Sequence, residues 1–311
     1  MSESPRRVLC IGDIALDVIV KLNVEGGSEG LAALRYGSDT PSQVITRGGG
    51  AAANVASWLT TTEAKAELVA RIGNDSVGEA LASELESEGV FCHRVLIPEV
   101  ATGTVVVIVD KSGERTMFPD SGANAGLSVA DLPRLSGFSA AYISGYALFN
   151  RLSHQGVLEI FASLASAGIP IIFDPASIGT MSTFADRSRV IELLPRSDVM
   201  ILNESEARFL ADNEVDPLED VMSFLTRFAT TVVIKRNAAG AIAFDSVTGE
   251  RFTDRQSRRE PVDSTGAGDS FAAGFIAEWI KERDLMASIT SGNLMAGRCV
   301  QVIGARPPKS P

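Results

Sequence analysis

The stretch EPVDSTGAGDSFAAGF, residues 260–275, decides how the rest of the chain is read. Thr265, Gly266, Ala267 and Gly268 form a run of small residues whose backbone N–H groups can approach a phosphate, and Phe271, Phe275 and Trp279 follow as one face of a helix. Small residues leading into a helix describe an anion site at a helix N-terminus. Asp269 lies inside it, where a carboxylate would repel a phosphate unless it has a separate task. The useful task is to accept a proton from an attacking hydroxyl, as a general base. The plainer alternative is a first-turn acid favoured by the helix dipole.

Working outward, apolar runs recur at spacings that leave room for helices: VLCIG (8–12), ELVARIG (67–73), AAYISG (140–145), IPIIFD (169–174), VMILN (199–203) and TTVVIK (230–235). Most are nearly continuous, as expected of strands covered on both faces. Between them SVGEALASELESEG and SHQGVLEIFASLASAG repeat apolar residues at three and four and end in glycine, as helices do. Alternation of strand and helix predicts an α/β fold with a mostly parallel sheet flanked by helices. Two regions break the rhythm. Residues 14–47 and 101–119 alternate like strands and carry turn residues but no helix, and the second reads as a hairpin, TVVVIV, a DKSGE turn, then RTMF. Together they predict a small β-sheet lid, discontinuous in sequence, on a single domain spanning 1–311.

Composition narrows the partners. The 311 residues are 45% hydrophobic and 22% charged, a globular balance. A net charge of -11 disfavours nucleic acid or an anionic membrane as partner. No apolar run reaches the ~18 residues of a membrane span, and the N-terminus lacks a signal-peptide core, so a cytoplasmic location is expected. Cys10, Cys92 and Cys299 are scattered and odd in number, which suits reduced thiols. Cys92 and His93 adjoin, but no second ligand cluster has metal-site spacing.

Other nucleotide motifs are absent: there is no GxxxxGK[ST], the first strand leads into GDIALD rather than GxGxxG, and the protein-kinase HRD and DFG patterns are missing. In RGGGAAANVASWL (47–59), exposed backbone at Gly48, Gly49 and Gly50 with Asn54 behind it suits a polyhydroxylated ligand, and tight helix packing is the competing explanation. Asp17 follows the first strand, near the C-terminal edge where parallel sheets bind ligands, and turn capping explains it equally. In NESEA, Asn203 and Glu206 have the spacing of a capping box; a carboxylate there can also hold Mg²⁺ through water.

Taken together, GGGAAAN near 50, NESEA near 205 and DSTGAGDSFAAGF near 265 resemble the ribokinase-like, or phosphofructokinase-B type, family of carbohydrate kinases over nearly the whole chain. The resemblance implies a ribokinase-like, Rossmann-like fold and an ATP-dependent sugar kinase with Asp269 as catalytic base and Gly266, Ala267 and Gly268 as the anion hole. Asp17, Gly49, Gly50 and Asn54 match substrate contacts. Asn203 and Glu206 match the motif associated with Mg²⁺ and phosphate, with Glu206 toward the metal. Asp263 and Thr265 belong to the signature loop, Lys235, Arg236 and Gly240 match the nucleotide-binding strand and turn, and Asn293 the helix beside the adenine. Asn237 stands where many relatives have glycine.

The turn IGARPP occupies the place at which some relatives bind K⁺. The lid regions match a sheet that closes over the sugar and in several members pairs between subunits, which makes a homodimer the expected assembly. A nucleoside kinase is the alternative, favoured by an aromatic-rich lid; here the lid offers chiefly Tyr36 and Phe118. A non-catalytic sugar-binding protein is the third, and the intact Asp269 with its glycines argues against it. Arg47 and Arg115, near the predicted substrate site and lid, would recognise a carboxylate or phosphate on an acidic sugar.

Overall fold

Successive residues of Arg7–Gly12 enter different apolar clusters: Val8 and Cys10 join one, Leu9 and Ile11 the other, and all four are fully buried. A strand buried on both faces must lie inside a sandwich, which is why its sequence reads as an unbroken apolar run. The computed structural model describes residues 6–22, 34, 36–110, 115–215, 217–255 and 261–308.

In chain order its elements begin β1 (Arg7–Gly12), β2 (Ala15–Leu22), β3 (Ser42–Gly49), α1 (Ala51–Leu59), β4 (Lys65–Gly73), α2 (Ser76–Ser87) and β5 (Phe91–Ile97). They continue with β6 (Thr104–Val109), β7 (Arg115–Asp120), β8 (Phe138–Ser144), α3 (Gly145–Leu148), α4 (His154–Ser166) and β9 (Ile171–Asp174). Then follow α5 (Ile178–Phe184), α6 (Arg187–Leu193), β10 (Ser197–Asn203), α7 (Glu204–Ala211), α8 (Leu218–Leu225) and β11 (Ala229–Lys235). The chain closes with β12 (Ala241–Asp245), β13 (Arg251–Asp254), α9 (Ala267–Glu282) and α10 (Leu285–Cys299).

Nine strands form the main sheet in the order β13-β12-β11-β10-β9-β8-β1-β4-β5. All its pairings are parallel except β11 with β12 and β12 with β13. One face packs on α1, α2, α9 and α10, the other on α4 to α8. The apolar face read from Phe271, Phe275 and Trp279 is real: the three rings stack in sequence inside the first cluster.

The two irregular regions do combine. They form a separate sheet in the order β3-β2-β6-β7, with β2 parallel to β6 and the outer pairs antiparallel. Most of the turn expected between β6 and β7, residues 111–114, and the segment 23–33 lie outside the described residues. Because β2 follows β1 directly and β3 leads directly into α1, this sheet is tethered at the C-terminal edge of the main one. Arg115 of β7 ties it down again through an ion pair with Asp263. The strands not foreseen are β5, whose residues are at most half-buried, and the antiparallel pair β12 and β13 at the opposite edge.

Candidate active site

Parallel strands bring their C-terminal ends to one edge, and here that edge is polar: Asp13 follows β1, Asp174 ends β9, Asn203 ends β10 and Lys235 ends β11. Helix α9 begins beside them. Its N-cap, Gly266, has φ 74°, and a Cβ there would lie 2.6 Å from Ala305 Cα, so glycine is required on both counts. The Ala267 N–H turns back to Ser264 O (3.3 Å). The following amides, of Gly268 and Asp269, open the helix, where no intrahelical acceptor exists.

Asp269 is half-buried. Asn54 Nδ2, from buried α1, donates to its Oδ2 at 2.8 Å. Burial raises the Asp269 carboxyl to about 7, Asp174 and Asp13 push the same way, and Asn54 and Lys235 oppose them. A carboxyl at that level suits proton exchange near neutrality.

Across the loop, Lys235 Nζ donates to Asp174 Oδ2 at 2.9 Å. A Cβ on Gly268 would come within 3.2 Å of that ammonium, so the positive charge stands directly over the anion loop. Burial alone would lower the Lys235 pKa; Asp174, Glu206 and Asp269 outweigh it and keep the ammonium charged. Glu206 is raised by burial and by Asp174, with Lys235 and Asn203 opposing. The capping box is fully formed: Glu206 N–H donates to Asn203 Oδ1 (2.9 Å) and Asn203 N–H to Glu206 Oε2 (2.8 Å). Capping therefore sets the position of both side chains, whatever else they do.

On the lid side, Asp17 lies against Gly49, where an added Cβ would sit 2.4 Å from the carboxylate oxygens. Burial first and Asp13 second raise the Asp17 carboxyl to about 6, while Arg306 pulls it down. Asp13 accepts from the Ala51 N–H (2.9 Å) and the Ala52 N–H (3.4 Å), fixing the start of α1, and Gly50 is that helix's N-cap.

A model of the pfkB family of carbohydrate kinases matches residues 6–311. The chain belongs to that family. The kinase is 27% identical to the ATP-dependent ribose-1-phosphate kinase of Halopiger xanaduensis over 94% of this chain and 92% of that one. It is 30% identical to a fructokinase of Vibrio alginolyticus over 74% and 75% of the two chains. Its fold is similar to the crystal structure of adenosine kinase from Sinorhizobium meliloti, with a TM-score of 0.83 at 23% identity and coverage of 98% and 96%. Family membership makes the protein an ATP-dependent phosphotransferase with an alcohol as acceptor, on a sugar or nucleoside.

The kinase's remaining anticipated residues have prior engagements. Asp263 accepts from Thr265 N–H (2.9 Å), Thr265 Oγ1 (2.6 Å) and Gly304 N–H (3.0 Å) as well as from Arg115, so it staples the anion loop to the turn after α10 and to the lid. Arg236 pairs with Glu204 (3.3 Å), which also holds Arg208. Gly240 adopts φ 82° against Asp254 O, and Asn237 takes φ 50°, a left-handed conformation that asparagine tolerates in glycine's place. Asn293 donates to Asp254 Oδ2 (2.9 Å) on β13. The turn assigned to K⁺ is knitted into the protein: Gly304 N–H is on Asp263 and Ala305 O accepts from Trp58 Nε1 (2.8 Å). Asp263 is met there by the Arg115 guanidinium.

Three residues of the candidate site had escaped the sequence reading. Asp174 ends an apolar run as Asn203 and Lys235 do, and that shared position was the available signal. Asp13 was visible only as a neighbour of Asp17. Arg306 was visible only as part of the turn IGARPP.

Among the described residues no helix is long and apolar enough to cross a membrane, and no group of three or more His, Cys, Asp or Glu is placed to hold a metal. The cysteines are free as expected, Cys10 and Cys299 buried. His93 bonds Glu67 (2.8 Å), which also pairs with Arg7.

Proposed function

We propose that this kinase transfers the γ-phosphoryl group of ATP to a hydroxyl of a sugar, with Asp269 as general base. The observation that carries the reading is the placement of the Asp269 carboxylate: at the first turn of α9, half-buried and bonded to Asn54, with the Lys235 ammonium above the same loop.

Asn54 and Asp17 orient the sugar, and Asp269 takes the proton of the attacking hydroxyl as the oxygen–phosphorus bond forms in line with departing ADP. First-turn amides of Gly268 and Asp269, with Lys235, offset the charge spread over the transferring group. Asn203, Thr265, Gly240 and Asn293 lie on the nucleotide side in this reading. Asp174 and Glu206, two hard oxygen donors flanking Lys235, fit Mg²⁺ held through water, which would neutralise phosphate charge when bound with ATP. The lid sheet, latched by Arg115, excludes water.

Two observations bear on the substrate. By strand register Phe118 shares a face with Val106 and Val18, opposite to that of Asp17, and Tyr36 is fully exposed, so neither supplies a ring for stacking a nucleobase beside Asp17. Arg115 is committed to Asp263, which leaves it unavailable for an acidic sugar. A sugar therefore stands ahead of a nucleoside, and of the two arginines Arg47 alone, on the Asp17 face, is left to meet an acidic group.

Asp269→Asn should retain ATP binding and lose roughly 10² or more in kcat. Near-wild-type turnover in that variant would remove Asp269 from the role. ADP release measured across pentoses, hexoses, sugar acids, sugar phosphates and nucleosides tests the substrate class, and turnover confined to nucleosides would overturn it.

A further inference from the structure

We propose that Arg306 is a positioning residue for phosphoryl transfer: its guanidinium fixes the side-chain amide of Asn54 so that the amide N–H₂ faces Asp269. This rests on Asp269 being the base.

Asn54 is buried and its amide has two orientations that differ only in which end faces the carboxylate. Arg306 Nε–H donates to Asn54 Oδ1 at 3.4 Å, while Asn54 Nδ2 donates to Asp269 Oδ2 at 2.8 Å. A flipped amide would set its oxygen against the carboxylate and its N–H₂ against the guanidinium. Cation and anion on opposite sides therefore select one orientation, and lysine at 306 would supply the charge without the planar, directed donors.

The rest of the guanidinium is held firmly enough for that task. One terminal nitrogen donates to Gly49 O (3.0 Å), the other to Glu84 (3.3 Å), and the side chain is only 8% exposed. The guanidinium passes behind Gly48, where a Cβ would lie 2.4 Å from Nη1, so the glycine run on β3 admits this arginine as well as the ligand. Its chain neighbours serve the same region: Gly304 N–H bonds Asp263, and Ala305 packs on Gly266 and accepts from Trp58. Residues 304–306 thus join the anion loop, α1 and β3, from which the two reactants are held.

The charges that bear on Asp269 are Asp13, Asp174 and Lys235, and it in turn raises Tyr142, Tyr146 and Cys299. Around Arg306 stand Asp17, Glu84, Glu88 and Cys92. Without Arg306 the Asn54 amide loses its fixed direction, and with it the bond that holds the Asp269 carboxyl down.

The test is the pH profile of kcat in Arg306→Lys and Arg306→Gly, with melting temperature and the KM of ATP measured alongside. Positioning predicts that kcat falls about tenfold in both, that the limb assigned to Asp269 moves to higher pH, that the KM of ATP stays within about twofold, and that methylguanidinium partly restores Arg306→Gly. A merely structural arginine predicts lower melting temperatures with a limb superimposable on wild type, and that result overturns the proposal. Should neither variant fold, the wild type decides: an Arg306 Nε–H protected from exchange, whose NMR shift follows the Asp269 titration, supports it, and a rapidly exchanging, pH-insensitive one overturns it. Full activity in Asp269→Asn would instead sink the base itself, whichever way the Arg306 variants behave.

Discussion

Asp269 owes its raised carboxyl first to burial, and the Asn54 hydrogen bond is the largest effect opposing it. As the proposed base Asp269 must be ionised to accept a proton, so kcat/KM should rise with pH along a limb centred near 7 and level off above it, as steady-state rates from pH 5 to 9 would record. Asn54→Ala removes a bond to the charged form and should carry that limb to higher pH; a limb unchanged in this variant would mean that Asn54 does not tune the base. Gly49 makes a different demand. Its missing Cβ leaves room for the Asp17 carboxylate, so Gly49→Ala should raise the sugar KM by roughly tenfold or more while the ATP KM is unchanged. The small-residue loop and Asp269 were legible because loop and base are contiguous. The engagement of Asp263 with Arg115 was not, for its partners lie 148 residues apart.

At the scale of elements, the lid sheet has an unequal pair of faces. One carries Asp17, Arg47 and Arg115; the other carries Val18, Val44, Val106, Ile108 and Phe118, with Val44 58% and Phe118 50% exposed. An apolar sheet face open to water favours association, and we propose that two copies meet on it. Sedimentation should then show a dimer for the wild type and a monomer for Val44→Glu with Phe118→Asp, and a monomeric wild type would refute the pairing. The lid's strands could be anticipated from period-two alternation. The strand β5 could not, since its mixture of half-buried polar and apolar residues lacks the continuous apolar run that marked the interior strands.

For the whole molecule, the site's carboxyls set a sign on stability. Asp269 at about 7 and Asp17 at about 6 bind protons more tightly folded than unfolded. Their contribution is complete below the unfolded carboxylate range and is lost as pH rises through the folded values, between about 4 and 7. Asp75, Glu67, Glu204 and Asp263 are lowered, and their contribution is lost as pH falls through their folded values. Asp269→Asn should consequently raise the melting temperature more at pH 8 than at pH 5, the reverse of what loss of a structural carboxylate would do. Thermal melts at the two pH values distinguish these outcomes.

By itself the sequence determined the layered α/β architecture, the lid's two segments and the small-residue loop with the aspartate that follows it, because each rests on a local period or on contiguous residues that solvent and chain geometry allow in few ways. Only the tertiary structure decided what surrounds that residue. Lys235 meets Asp174 from 61 positions away and Arg306 meets Asn54 from 252, since parallel strands deliver distant side chains to one edge and the chain's end folds back across it. Those meetings depend on strand order and crossing, which local sequence does not encode.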